Sequence, residues 1–96
     1  MTHAPEETFR IITYQTTHQA MAAEEVLHDA AIAFEVVPTP EEVSAGCGLA
    51  HRLREKDLDA AIALLRDAGA DYDRVVVPTR GYRRSQDRFG QGRMVE

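Results

Sequence analysis

The chain has a single cysteine, Cys47, in 96 residues, and one thiol excludes an internal disulfide framework. A reducing compartment is the natural setting for such a chain. No apolar run approaches the roughly 20 residues that cross a bilayer. The opening stretch Met1–Glu7 lacks the basic and apolar blocks of a secretory leader. The expected location is therefore cytoplasmic, with no membrane partner. Positive charge is scarce over most of the length. Residues 1–79 hold 6 Lys and Arg against 14 Asp and Glu. So acidic a body argues against nucleic acid, whose phosphates demand clustered Lys and Arg. A glycine-rich phosphate loop with its lysine is missing, and so is a Ser/His/Asp set. Zinc chemistry finds no ligand set either. Cys47 and His51 sit four residues apart on a strand, roughly 13 Å at about 3.3 Å per residue. A zinc ion with ligand distances of about 2.0–2.3 Å cannot join them. His3 falls in the frayed start and His28 in mid-helix, so no cofactor or metal is expected.

At 44% hydrophobic and 28% charged residues, the composition is that of one small globular domain with a core just adequate for its size. Phe9–Tyr14 is rich in β-branched and aromatic residues and reads as a first strand. Thr16 followed by Gln19 fits a capping box at the start of a helix. Ala23, Val26, Leu27 and Ala30 then fall on one helical face, which predicts a helix from Thr17 to Ala31. Phe34–Val37 reads as a second strand, closed by Pro38 and Pro40, and a loop spans Thr39–Gly46. Leu49–Leu53 alternates as a third strand with Leu49, His51 and Leu53 on one side. A second helix begins near Asp57, carries Leu58, Ala61, Ile62 and Leu65 on one face, and stops at Gly69. Val75–Val77 forms a fourth strand before Pro78. From Arg80 onward the chain is mainly Arg, Gly, Gln and Ser.

This order, β-α-β-β-α-β, predicts an α+β fold of the ferredoxin-like type, a four-stranded antiparallel sheet with two helices on one face. Strand three then lies beside strand one in the middle of the sheet. The domain is expected over residues 9–79, between a flexible start (1–8) and a basic, disordered tail (80–96). The edge strand Phe34–Val37 offers a place for a second copy to pair.

Cys47 lies between Gly46 and Gly48, where the loop meets the third strand. Glycine on both sides frees the backbone and lets another group come close. The predicted topology sets this thiol beside the first turn of the first helix, with Thr16, Thr17 and His18. A helix N-terminus carries partial positive charge and unpaired N–H groups, which favour the thiolate. His18 is placed to act as the thiol's proton partner. The plainer alternative is a small buried hydrophobe for Cys47 and a solvated side chain for His18.

Two patches carry a resemblance. The first is Ile12-Thr13-Tyr14, Thr16-Thr17-His18, Ala20-Met21 and Ala23-Glu24. The second is Pro38-Thr39-Pro40, Ser44 and Cys47-Gly48-Leu49-Ala50. Together, at this separation, they resemble the small single-cysteine selenium/sulfur carrier-like family over about Arg10–Val77. The chain departs from that pattern at Glu41, where the family tends to be basic, and at Ala45 and Gly46, where it favours serine. The resemblance implies that Cys47 accepts sulfur or selenium from a cysteine desulfurase or similar donor. It would hold the atom as a transient persulfide or selenium equivalent and pass it to a biosynthetic acceptor protein. Such a chain is a stoichiometric carrier more than an enzyme, with Ser44, Gly46, Gly48, Thr16, Thr17 and His18 in support. The competing expectation is a small regulatory or protein-interaction module in which Cys47 is packing and Thr39–Gly46 a binding loop.

Overall fold

Phe9–Thr13 forms strand β1, and the rest of the sheet is built outward from it. The structure is a computed structural model that describes residues 8–41, 43 and 46–78. Helix α1 spans Thr17–Asp29, strand β2 Glu35–Pro38 and strand β3 Leu49–Arg54. A short 3-10 turn at Glu55–Asp57 leads into helix α2, Leu58–Ala68, and strand β4 covers Arg74–Val76. All strand pairs are antiparallel, in the order β2-β3-β1-β4, so β3 and β1 hold the centre of an α+β sheet. Among the described residues no helix is long and apolar enough to cross a membrane.

Alternation along β1 divides the core between two faces. Ile12 and Tyr14 join Leu53, with Ala20, Ala23 and Leu27 from α1 and Ala61 and Leu65 from α2, in one buried cluster. Both helices therefore cover the same side. Ile11 points the other way and clusters with Val37, Ala50 and Val76.

Several boundaries differ from the sequence expectation, for local reasons. Helix α1 ends at Asp29, two residues before Ala31, because Ala31 adopts φ +60 and cannot continue a right-handed helix. Pro38 belongs to β2, opposite Leu49, instead of closing it. An edge strand tolerates a residue without an N–H. Strands β1 and β4 each stop one residue earlier than the composition suggests, at Thr13 and Val76. Gly69 terminates α2 in the left-handed conformation, φ 71, and the Ala70 N–H reaches back to the Leu65 carbonyl at 2.9 Å. At the start of the domain the Thr8 carbonyl accepts the Glu55 N–H at 2.8 Å. Ser44 and the segments 1–7 and 79–96 lie outside the described residues.

Candidate functional site

The turn from β1 into α1 is closed by side chains. Thr16 is extended, and its Oγ1 accepts the Gln19 N–H at 3.0 Å. The Gln19 carboxamide oxygen accepts the Gln15 N–H at 3.0 Å. It thus reaches one residue further back than a capping box, in which it would meet the N–H of Thr16 itself. The backbone at Gln15 is thereby fixed, and it becomes the wall against which the cysteine loop is laid. A Cβ on Gly46 would stand 2.4 Å from the Gln15 carbonyl oxygen, a distance no side chain tolerates. Gly46 is a close-approach glycine. Gly48 meets nothing within 4 Å, and positive φ among the described glycines belongs to Gly69.

This approach brings Cys47 beside the first residue of α1. Its Sγ accepts the Leu49 N–H at 3.4 Å and lies 3.9 Å from the Thr17 Oγ1. Leu49 supplies a backbone donor to the sulfur, and in the longer contact with Thr17 either atom is able to donate. Cys47 itself is only 2% exposed. Its backbone is tied rather than hinged. The Thr39 hydroxyl donates to the Cys47 carbonyl at 2.9 Å, and the Thr39 N–H donates to the Gly48 carbonyl at 2.9 Å. Buried Pro40 and Val43 fold back beneath the loop, with the Val43 N–H on the Pro40 carbonyl at 3.0 Å.

His18 is not brought to this thiol. Successive residues of a helix turn through about 100°, so Thr17 and His18 look in different directions. His18 is exposed and lines a surface groove with Met21, Ala22, Glu25, His28 and Asp29. The spacing 18, 21, 22, 25 marks a different helical face from the buried 20, 23, 27, and that signal was present in the sequence.

The polar residue that sequence reasoning passed over is Tyr14. Buried beside Cys47 in the same cluster, it hydrogen-bonds His51 Nδ1 at 2.7 Å. The two rings meet edge-on at 5.0 Å, and Phe34 covers the other side of the imidazole at 4.9 Å. Burial pulls His51 down from 6.5 to about 4, so the ring is neutral at pH 7. Burial above all, with added negative charge from Cys47 and Glu24, pushes the Tyr14 phenol above its usual range. Neither group is poised to exchange protons near neutrality, and the pair is a polar anchor of the core. Its signal was legible in principle: Tyr14 follows Ile12 on one face, and antiparallel pairing sets Ile12 against His51. Among the described residues no three His, Cys, Asp or Glu side chains gather to hold a metal ion.

Comparison with known families finds a match to the model described as "Putative Se/S carrier protein-like", over residues 9–77. Neither the curated proteins nor the solved structures contain a match to this chain.

Proposed function

The chain belongs to the Se/S carrier protein-like family, and on that premise we propose that it carries sulfur or selenium on Cys47. The observation that supports this most is the sulfur's setting, between the Leu49 N–H and the Thr17 hydroxyl at the start of α1. In the proposed step the Cys47 thiolate attacks the outer sulfur of a donor persulfide. The donor's S–S bond breaks, its electron pair leaves with the donor thiolate, and Cys47 keeps the outer atom as its own persulfide. A nucleophile on the acceptor then attacks that outer atom, and the Cys47 thiolate departs unchanged. No net oxidation or reduction occurs, so a cysteine desulfurase and an acceptor protein are the only partners the cycle requires. Read from its other edge the sheet runs β4-β1-β3-β2, which supports the ferredoxin-like class. A reducing, cytoplasmic setting fits a lone thiol that must stay free.

A second reading is favoured by the burial of Cys47: a protein-interaction module whose thiol only packs. Intact mass after incubation with a cysteine desulfurase and free cysteine separates the two. The carrier reading expects a reductant-reversible gain of one sulfur in the wild type and none in Cys47→Ser, with the fold kept in both. A thiol that neither takes up sulfur nor reacts with an alkylating agent in the native state overturns it.

A further inference from the structure

Strand β1 lies between β3 and β4, and its last residue, Thr13, pairs with Ala50 on one side and Arg74 on the other. The cysteine loop therefore reaches the end of β1 from the β3 side, and Asp73, the residue before β4, reaches it from the other. The Asp73 side chain is only 12% exposed. Its backbone N–H donates to the Thr13 carbonyl at 2.7 Å. Its Oδ2 accepts the Arg74 Nε–H at 3.2 Å and lies 3.3 Å from the Thr13 hydroxyl, which the Arg74 carbonyl shares at 3.2 Å. The other oxygen, Oδ1, accepts the Gln15 carboxamide N–H at 3.3 Å. A carboxylate drawn so far out of water is kept there by such donors.

Gln15 is thus held at two points. Asp73 takes the tip of its side chain, and the Gln19 side chain takes its backbone N–H at 3.0 Å. The carbonyl of the same residue is the surface on which Gly46 lies, so close that a Cβ there would stand 2.4 Å from the oxygen. The next residue is Cys47. We propose that Asp73 is a positioning residue for Cys47, acting through Gln15 across the end of β1. With the carboxamide pinned, the Gln15 peptide keeps one orientation, and the loop is laid against it. With the carboxamide released, the exposed Gln15 side chain samples other rotamers and the wall loosens. The loop then opens more often, and local opening is how a buried thiol meets a reagent. Thr39 ties the Cys47 carbonyl itself, whereas this restraint acts one residue earlier, at Gly46. That Asp73 governs exposure of the thiol stands on these contacts alone; that it thereby governs sulfur transfer rests on the carrier reading.

Alkylation of Cys47 in the native full chain, beside urea unfolding of the same variants, tests it. Asp73→Ala and Gln15→Ala are each expected to speed alkylation about fivefold, the factor for one hydrogen bond of ordinary net strength. The double variant is expected to be no faster than either alone, because both changes cut one route. Asp73→Asn keeps an oxygen for the Gln15 carboxamide and is expected to hold the wild-type rate. The gain is expected to depend little on urea at low concentration, as local opening does. Gln15 is exposed, so Gln15→Ala keeps the fold even where Asp73→Ala does not, and an unchanged rate in it overturns the proposal. Gains that multiply in the double variant overturn it, as does an Asp73→Asn chain as fast as Asp73→Ala. A gain that carries the full urea slope of global unfolding also overturns it, since Asp73 then only supports the fold. Sulfur uptake from a desulfurase reads the carrier role separately, and its absence would leave these alkylation rates standing.

Discussion

The Tyr14 hydroxyl hydrogen-bonds His51 Nδ1 at 2.7 Å inside a core that is otherwise apolar on the helix side. The bond joins the residue that follows β1 to the middle of β3, next to the cysteine loop. Tyr14→Phe keeps the ring and deletes the hydroxyl that His51 Nδ1 pairs with. The imidazole nitrogen is then left buried and unpaired, which costs about 1–3 kcal/mol. Urea unfolding is expected to show that loss with an unchanged slope, and a variant as stable as the wild type removes the anchoring role.

The same pair sets a pH dependence. His51 is held at about 4 in the folded chain, against 6.5 for a free imidazole. Between those values the unfolded chain binds a proton that the folded chain refuses, so stability rises with pH across the window. The contribution is complete above pH 6.5, is lost as the pH falls toward 4, and amounts to roughly 3 kcal/mol at about 1.36 per unit. Unfolding midpoints measured from pH 7.5 to 4 are expected to fall accordingly. His51→Leu, whatever its overall stability, is expected to flatten that part of the profile.

How much of this was legible in the sequence depends on how local the signal is. The order of the elements and the stop at Gly69 follow from periodicity and from a residue suited to positive φ, which need no knowledge of distant contacts. The early end of α1 was hidden because Ala31, an ordinary helix former, takes φ +60 there. Pro38 misled because whether a proline ends a strand depends on which edge it occupies. At the site, the nearness of Cys47 to Thr17 follows from topology. The burial of the thiol does not, because it depends on Thr39 reaching across the loop. The partner of His51 follows only once β1 and β3 are paired in register, with Ile12 against His51.

The two glycines beside the thiol are expected to respond differently to alanine. At residue 46 a methyl group would fall 2.4 Å from the Gln15 carbonyl oxygen, which is backbone held by the Gln19 side chain and cannot swing away. Gly46→Ala is expected to cost about 1–3 kcal/mol through overpacking. At residue 48 the methyl has open space and no left-handed backbone to strain. Gly48→Ala is expected to be neutral or to stabilise by up to about 1 kcal/mol, because it restricts the unfolded chain. Equal losses in thermal unfolding would mean that freedom at both positions matters, as a hinge requires, and not space at one.

Thr39 bears most directly on how the thiol reaches a partner. Its hydroxyl holds the Cys47 carbonyl and its N–H holds Gly48, so a sulfur that must enter a donor's site has to break the first of these ties. Thr39→Val preserves the shape and the backbone bond while deleting the hydroxyl. A hydrogen bond of this kind is worth about 1 kcal/mol, and if it opposes local opening its loss raises the open population about fivefold. Alkylation of Cys47 in the native state is expected to accelerate by that factor while global unfolding changes little beyond the same energy. A matching rise in the rate of sulfur uptake would tie the two motions together: the step that exposes the thiol to a small reagent would be the step that exposes it to a donor. Faster alkylation with unchanged uptake would instead place the slow step at the encounter with the donor, where Thr39 has no part.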